Sequence, residues 1–222
     1  MSRRSRARRA KSAVPQQQKS PILNVESLEQ KNLLDATPVA SILNLSAEEF
    51  IGDSASFQIQ FDNTGTGSEV GYGPWVDLFL DTTGIDGAYP GDDPTPPVPG
   101  SNAFDGLTYV DGSGTFLNTP VTTTTLTLVD EGVDHPYHVD ANGDPVILVP
   151  EGDPGGVAAA NPTRAVVQAP TGFEAGDQVV VFQLPFGSFT PAQTPAVIDV
   201  SIDMSEFAAL GQHLTVATSG GF

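Results

Sequence analysis

One segment early in the chain alternates strictly between apolar and polar side chains, and this alternation restricts the possible folds more than any other feature. Its apolar members lie two residues apart, with serine or glutamine between them: Ala55, Phe57, Ile59 and Phe61. Successive side chains of an extended strand point to opposite faces, so a period of two predicts a strand with one face buried. An amphipathic helix would instead place its apolar residues three and four apart.

The rest of the chain repeats short apolar segments that turn residues separate. The chain of 222 residues has 23 glycines and 19 prolines, and its apolar segments are rich in valine, threonine and phenylalanine, as in strands joined by many turns. The predicted strands span residues 39–45, 54–62, 75–80, 106–110, 122–129, 145–149, 165–168, 178–184, 196–202 and 214–217. About ten short strands predict an all-β fold, an Ig-like antiparallel β-sandwich.

Two acidic connections and one helix complete the expected fold. Residues 81–105 and 130–144 are rich in aspartate and glycine and predict long surface loops. Ser205 is a suitable N-cap and Gly211 a suitable C-terminal stop, so residues 206–210 predict one short helix near the C-terminus.

Charge divides the chain into a basic leader and an acidic body. The first 31 residues hold eight of the nine basic side chains and two of the 27 acidic ones, so this part carries +6 and the remainder −24. Phosphate binding requires clustered lysine and arginine, so the body is not expected to bind nucleic acid. The leader can bind nucleic acid or an anionic membrane surface through its charge, but a cluster of arginines is an unspecific signal. We expect a mostly disordered basic leader or sorting segment over residues 1–37 and a sandwich domain over residues 38–222.

The sequence also limits the membrane and redox chemistry of the chain. No stretch approaches the roughly 18 apolar residues that a transmembrane helix needs, and the leader lacks the apolar core of a standard secretory signal. Cysteine is absent, which excludes disulfides, thiolate metal sites and cysteine nucleophiles.

The acidic turn at residues 140–145 has the spacing of a calcium-binding loop. Oxygen-bearing side chains occupy its first, third, fifth and twelfth positions: Asp140, Asn142, Asp144 and Glu151. Ca²⁺ takes about six to eight oxygen ligands, so this set predicts a calcium site. Pro145 stands where such loops have glycine, and both flanks have the pattern of strands. A hairpin with Asn142-Gly143 in a type I′ turn is therefore the favoured alternative, and such a hairpin can still bind calcium weakly at its tip.

No catalytic motif is present, and no catalytic residue is predicted. The chain lacks the Gly-x-Ser-x-Gly elbow, the phosphate-binding loop and the His-Glu-x-x-His helix. His135 and His138 are predicted to be turn and surface residues. The alternative function is a carbohydrate-binding or glycoside-acting sandwich, which needs exposed aromatic side chains beside paired carboxylates. The single tryptophan, Trp75, is predicted to lie in the core and Tyr72 at its rim.

The segment that follows the arginines resembles a motif that opens very large bacterial surface or secreted proteins, written Leu-Glu-Pro-Arg-x-Leu-Leu (LEPR-XLL). The matching residues are Leu28, Glu29, Leu33 and Leu34, with Gln30 and Lys31 in place of Pro and Arg. The resemblance covers residues 22–36 and implies a secreted or cell-surface location. The same residues also fit a short amphipathic helix.

The body resembles the Ig-like domains repeated in large bacterial adhesin-like proteins. Those domains have Gly-Asp, an alternating strand and Asn-x-Gly, which correspond here to Gly52-Asp53 and Asn63-Thr64-Gly65. The resemblance spans roughly residues 40–222 and implies a non-enzymatic structural or adhesive domain. The implied partners are neighbouring domains of the same long chain and cell-surface or matrix glycans. The terminal Gly220-Gly221-Phe222, with an aromatic expected to be unpacked, predicts the amino-terminal piece of a longer protein.

Overall fold

The computed structural model describes residues 36–46, 48–66, 69–82, 106–152, 154–205, 208 and 213–222. The strands in these residues are β1 (Pro38–Leu43), β2 (Ser54–Asn63), β3 (Gly71–Tyr72), β4 (Trp75–Leu80), β5 (Leu107–Tyr109), β6 (Thr115–Phe116), β7 (Thr119–Pro120), β8 (Thr122–Thr127), β9 (Val133–Val139), β10 (Pro145–Val149), β11 (Val166–Gln168), β12 (Gln178–Gln183), β13 (Ser188–Phe189), β14 (Ala196–Met204) and β15 (Val216–Gly221). One helix, α1, spans Pro154–Ala160. The predicted all-β fold is confirmed, and each predicted strand overlaps an observed one.

Two antiparallel sheets form the predicted sandwich. The front sheet has six strands in the order β1-β2-β14-β6-β7, with β5 also paired to β14. The central sheet has four strands in the order β15-β4-β12-β8. All pairings within these two sheets are antiparallel, so the predicted sandwich is confirmed.

The sandwich core lies between the facing sides of these two sheets. The alternating residues of β2 that predicted a half-buried strand, Phe57, Ile59 and Phe61, are all buried. The neighbouring strands β4, β12 and β14 contribute Val76, Leu78, Leu80, Val180, Phe182, Ala196, Ile198, Val200 and Ile202. Burying one large apolar side chain is worth about 1.5–3 kcal/mol relative to leaving it exposed. The alternation therefore determines which face of β2 packs and also supplies stability.

A third sheet, the outer layer, covers the opposite face of the central sheet. It consists of β9, β10 and β11, with β9–β10 antiparallel and β10–β11 parallel. A second apolar cluster fills this joint and consists of Trp75, Phe79, Leu128, Leu148, Ala169, Phe173, Val179 and Val181. All six residues of β4 are consequently buried, since the strand is covered on both faces. The sequence predicted two layers, and the structure adds this third one.

Helix α1 packs on the far side of the outer layer, where Val157 contacts Ile147 and Val149 of β10. It starts with Pro154, whose fixed φ and missing N–H suit the first helical position. The sequence did not predict it, because its seven residues include two glycines, which disfavour helices. The helix predicted over residues 206–210 lies almost entirely outside the described residues. Among the described residues, no helix has the length and apolar character needed to cross a membrane.

One of the two predicted loops contains a strand instead. Residues 130–144 include the seven-residue strand β9, so the prediction of a surface loop there is wrong. The strand pattern expected on the flank of the acidic turn is confirmed by β9, whose pairing with β10 is interrupted by an irregular register around Pro136. The other predicted loop, residues 81–105, lies outside the described residues from position 83 onward. The two-residue strands β3, β6, β7 and β13 are too short to show a period in sequence.

The side chain of Asn63 ties the end of β2 to three other segments. Its amide nitrogen donates to the carbonyl oxygens of Glu69 and Phe189, at 2.9 and 3.1 Å. Its amide oxygen accepts from the backbone N–H groups of Thr37 and Gly65, both at 3.1 Å. A buried side-chain amide with two donors and two accepted bonds is fully satisfied.

The last residue of the sequence packs against the sandwich core. The ring of Phe222 meets that of Phe61 edge-on, with 5.4 Å between the ring centroids. Gly71 and Gly221 lie so close to the rings of Phe222 and Trp75, respectively, that a Cβ atom at either glycine would overlap them. The expectation of an unpacked terminal aromatic is therefore wrong, because Gly71, which has no Cβ atom, lets the ring of Phe222 approach closely.

Candidate functional site

The most unusual chemistry in the described residues is a polar cluster buried between the central sheet and the outer layer. The buried polar side chains of the described residues are Asn63, Asp77, Thr82, His135 and Asp177. Asp77 sits in the middle of β4, in an otherwise apolar strand, and points toward the outer layer. A lone carboxylate in a buried strand needs partners, because an uncompensated buried charge is costly.

Asp77 is held by three neighbouring groups. Its Oδ1 lies 2.9 Å from Nε2 of His135, and its Oδ2 accepts a 2.9 Å hydrogen bond from the hydroxyl of Ser219. The hydroxyl of Thr218 donates to its backbone carbonyl at 2.8 Å. The cluster thus joins β4 and β15 of the central sheet to β9 of the outer layer.

His135 uses both ring nitrogens, and this fixes its tautomer. Nδ1 accepts hydrogen bonds from the backbone N–H groups of Tyr137, at 3.2 Å, and His138, at 2.7 Å. Nδ1 therefore carries no proton, and Nε2–H is the donor to Asp77. The two N–H groups belong to the irregular part of β9, so His135 satisfies backbone donors that the pairing with β10 leaves open.

Trp75 and His138 complete the cluster with ring contacts. The centroid of the Trp75 ring lies 5.5 Å from that of His135 and 5.4 Å from that of His138. Partial burial lowers the pKa of His138, the neighbouring His135 lowers it further, and Asp77 raises it in part. His138 is consequently held in its neutral form more strongly than an exposed histidine.

The geometry of this cluster is not that of a hydrolase triad, although its residue types are. In a triad the histidine stands between serine and carboxylate and takes the serine proton. Here Asp77 stands in the middle and accepts from both Ser219 and His135. The second nitrogen of His135 already binds backbone N–H groups, so it cannot act as a base toward Ser219. The cluster connects the layers.

The sequence pattern misplaced both histidines of this cluster. His135 is buried and His138 is half-buried, so the prediction of turn and surface residues is wrong. Their partners come from strands more than 55 residues away in sequence, which a local pattern does not show. The interruption of the apolar segment 75–80 by Asp77 is the one available signal.

A second buried carboxylate has a comparable structural role. Asp177 precedes β12, and its Oδ1 and Oδ2 accept from the backbone N–H groups of Thr82 and Glu174, both at 2.9 Å. The hydroxyl of Thr82 donates to the carbonyl of Gly176 at 2.9 Å. Asp77 and Asp177 are thus the two buried carboxylates among the described residues.

Three of the four predicted calcium ligands lie together at the tip of the β9–β10 hairpin. Oδ1 of Asp140 accepts from the N–H groups of Asn142 and Asp144, at 2.8 and 3.1 Å, and Oδ2 accepts from that of Ala165 at 3.3 Å. Desolvation raises the pKa of Asp140, but these N–H donors together outweigh it and lower the pKa. Both oxygens of the Asp140 carboxylate are thus already hydrogen-bonded to backbone N–H groups.

The fourth predicted ligand, Glu151, lies beyond the other end of β10, where it accepts a 2.6 Å bond from the N–H of Gly172. A five-residue strand separates it from the hairpin tip, which corresponds to roughly 17 Å at about 3.4 Å per residue. Within the described residues, no group of three or more histidine, aspartate or glutamate side chains is arranged to hold a metal ion. Calcium binding stays a prediction for the hairpin tip.

The alternative of a hairpin at residues 140–145 is confirmed, but its turn type is not. β9 and β10 pair antiparallel around this turn. A type I′ turn needs positive φ at both central residues, and here Gly143 has a φ of 87° while Asn142 is not among the residues with positive φ.

An apolar groove opens at the edge of the front sheet and has a volume of about 400 Å³. Its lining combines the β6–β7 hairpin with the segments around β13 and the start of β14: Phe116, Leu117, Phe186, Phe189, Gln193, Thr194, Pro195, Ala196 and Val197. None of these side chains is charged, so the groove suits binding and offers no acid, base or nucleophile of ordinary enzymes. No sequence pattern indicated it, because three separate segments form it.

The aromatic residues predicted for the sandwich lie as expected. Trp75 is 4% exposed and Tyr72 is 66% exposed, so the first is a core residue and the second lies at the rim. The single tryptophan is therefore not available as a stacking surface for a sugar.

Comparisons with known proteins give no family for this chain. A scan against protein-family models finds no match. Searches of curated proteins and of solved structures also find no match. The resemblances to the LEPR-XLL leader and to Ig-like adhesin domains therefore stay predictions.

Proposed function

We propose that the body of this chain is a non-enzymatic structural and adhesive domain of a large secreted or cell-surface bacterial protein. The observation that carries this proposal is the use of the buried polar side chains. Both oxygens of Asp77, both ring nitrogens of His135 and both oxygens of Asp177 are bound to groups of the protein itself. Groups engaged in this way hold strands together and are not directed toward a substrate.

The layered packing also supports a mechanical role. Three stacked sheets with an apolar cluster in each of the two interfaces between them make a rigid unit, since protein interiors pack as densely as organic crystals. The charge of −24 on residues 32–222 keeps such units apart from one another and attracts cations. Neighbouring domains of the same chain and cell-surface or matrix glycans are the partners that this role implies.

The alternative of a carbohydrate-binding or glycoside-acting module has less support. Sugar recognition of this kind uses exposed aromatic rings beside carboxylates, and burial of Trp75 removes the strongest candidate. Tyr72 remains exposed, but its neighbours across the β3–β13 pair are Ser188 and Phe189, which supply no carboxylate.

The location is tested with antibodies against the body of the chain. Intact and permeabilised cells of the native host are labelled in parallel, with an antibody against a cytosolic protein as the control. We expect labelling of intact cells or recovery of the protein from the medium. Labelling that requires permeabilisation, with nothing in the medium, would rule out the proposed location.

The absence of catalysis is tested separately with a glycan array and a panel of chromogenic ester and glycoside substrates. We expect no turnover above that of the buffer. Turnover that disappears in the Ser219→Ala variant while the fold is retained would show that the polar cluster is catalytic and would refute the structural role.

A further inference from the structure

The apolar groove contains a residue whose backbone conformation is unfavourable for its type. Leu117 and Asn118 form the tip of the β6–β7 hairpin, with φ values of 50° and 61°. Positive φ at both central positions is the geometry of a type I′ turn, which favours asparagine and glycine. Asn118 fits this preference. Leucine adopts the left-handed region rarely, because its Cβ crowds the following carbonyl group.

The side chain of Leu117 gains little burial within the chain that would offset this conformation. It is 77% exposed, the second highest value among the large apolar side chains of the described residues. Folding alone would therefore favour asparagine or glycine at this position, as in other hairpins of this type. An apolar side chain that is both strained and exposed, and that borders an apolar groove, indicates a contact made with something outside the chain.

The groove itself is preformed by rings that lean on the sandwich core. The ring of Phe116 meets that of Phe186 edge-on at 5.2 Å, and Phe186 meets Phe189 in the same way at 5.4 Å. Phe189 in turn packs against Phe61 at 5.4 Å, inside the core. At the rim, the amide oxygen of Gln193 accepts from the N–H of Thr190 and so has a fixed position. A groove with rigid walls binds without first having to be ordered.

Size and charge decide what the groove binds. A stable dimer buries about 800 Å² on each partner, whereas the groove has a volume of about 400 Å³, near the lower end of the roughly 300–1,000 Å³ of small-ligand pockets. The surrounding body carries −24, which disfavours anionic ligands and a second acidic copy. Asp199 lies on the same strand as Val197, two residues further and on the same face, about 7 Å along β14.

We propose that this groove binds a short extended segment of a partner protein that carries apolar side chains next to lysine or arginine. The apolar side chains enter between Leu117 and the three phenylalanine rings. The cationic side chain reaches Asp199, an exposed carboxylate that already accepts a 2.8 Å bond from Gln58. This inference does not depend on the location of the protein.

The test uses the full chain and three acetylated, amidated peptides. The first has the sequence Lys-Phe-Leu-Lys, the second Glu-Phe-Leu-Glu and the third Lys-Ser-Ser-Lys. Binding is followed by chemical-shift changes in two-dimensional amide NMR spectra at low and at moderate salt. We expect saturable binding of the first peptide only, with the changes centred on residues 115–118 and 193–197 and weakened by salt.

The decisive variant is Leu117→Asn, which removes the apolar wall and places a favoured residue at a positive φ. This variant is expected to fold at least as well as the parent chain and to bind the first peptide about tenfold more weakly. Phe50→Asn removes an equally exposed apolar side chain outside the groove and is the matched control, with unchanged binding expected. Asp199→Asn should weaken the binding and reduce its salt dependence.

Four results would overturn the proposal. They are no binding of the first peptide at millimolar concentration, equal binding of the second peptide, shift changes outside the groove, and undiminished affinity in Leu117→Asn. None of them would bear on the cell-surface location, which the antibody experiment tests independently.

Discussion

The two faces of the central sheet pack against different partners in different ways. The face toward the front sheet is packed by apolar side chains of β2, β4, β12 and β14, and Tyr109 is the one residue of this cluster with a polar group in its side chain. The face toward the outer layer combines an apolar cluster with the hydrogen-bonded group of Asp77, His135 and Ser219. Apolar burial has no preferred direction, whereas hydrogen bonds require a defined relative position of donor and acceptor. The interface between the front and central sheets, here the apolar joint, therefore supplies stability. The interface between the central sheet and the outer layer, here the polar joint, fixes the register of the outer layer through its hydrogen bonds.

The largest effect is expected from a cavity in the apolar joint. Phe61 is fully buried and contacts the rings of Phe189 and Phe222. The Phe61→Ala variant should lower the free energy of unfolding by about 3–5 kcal/mol, because the lost burial and the cavity add. Urea denaturation followed by circular dichroism measures it. Phe50→Ala, at an exposed position, should change it by less than about 0.5 kcal/mol. Similar losses in both variants would contradict the assignment of the core.

The next largest effect is expected from removing the hydrogen bonds of Asp77 in the polar joint. Asp77→Ala leaves the Nε2–H of His135 and the hydroxyl of Ser219 without their acceptor, at about 1–3 kcal/mol for each unsatisfied group. Amide hydrogen exchange should show faster exchange in β9 and β10, with β2 and β14 still protected. Asp199→Ala, which removes an exposed carboxylate from the front sheet, is the control and should leave exchange in β9 and β10 unchanged. Uniform loss of protection after Asp77→Ala would mean that the two joints open together.

A smaller effect is expected from pH, and it distinguishes the joints because, among the described residues, Tyr109 is the one titratable member of the apolar cluster between the front and central sheets. The pKa of His138 is lowered, chiefly by burial, so the folded state binds fewer protons than the unfolded chain at mildly acid pH. The contribution of neutral His138 to stability is complete above the ordinary imidazole pKa of about 6.5 and declines as the pH falls below it.

Urea midpoints at pH 7.5, 6.5 and 5.5 measure this dependence. The His138→Gln variant should show a flatter profile than the parent chain. His213→Gln, at an exposed histidine outside the joint, should keep the parent profile. An undiminished decline in His138→Gln would assign the acid sensitivity to other groups.

The smallest effect concerns calcium at the β9–β10 hairpin. Because Glu151 lies at the other end of β10 and Asp140 already accepts backbone N–H groups, any site there has few ligands. We expect millimolar Ca²⁺ to raise the thermal midpoint by no more than about 2 °C relative to chelator, as weak binding implies. Asp144→Asn should abolish the rise. An unchanged midpoint in the parent chain would show that Ca²⁺ does not stabilise the domain. A rise above about 5 °C would show a stronger site than the geometry indicates.

The apolar joint could be predicted from the sequence, and the polar joint could not. The alternation at Phe57, Ile59 and Phe61 identifies a strand with one buried face without any knowledge of its partners. The segments 75–80 and 178–182 show no alternation, since the central sheet is covered on both sides. A continuous apolar segment predicts a buried strand, but it does not show how many sheets cover that strand. The third sheet therefore could not be predicted from the sequence.

The candidate sites were harder to predict than the fold, for two physical reasons. The spacing of Asp140, Asn142 and Asp144 correctly indicated a tight acidic turn. The strand β10 lies between this turn and Glu151 and places Glu151 far from it, whereas a calcium-binding loop has no strand at that point. His135 becomes buried because distant Asp77 and its own neighbours' N–H groups satisfy it. Such pairings depend on topology, and local sequence does not encode them in a readable form.

The position of Trp75 has a practical consequence. It is the only tryptophan in the chain, and its indole lies against both imidazoles at the boundary between the central sheet and the outer layer. Its emission spectrum and its quenching by acrylamide therefore report detachment of one layer without any label. Trp75 is therefore an intrinsic fluorescent probe of that boundary, and the front sheet contains no tryptophan that would add to its signal.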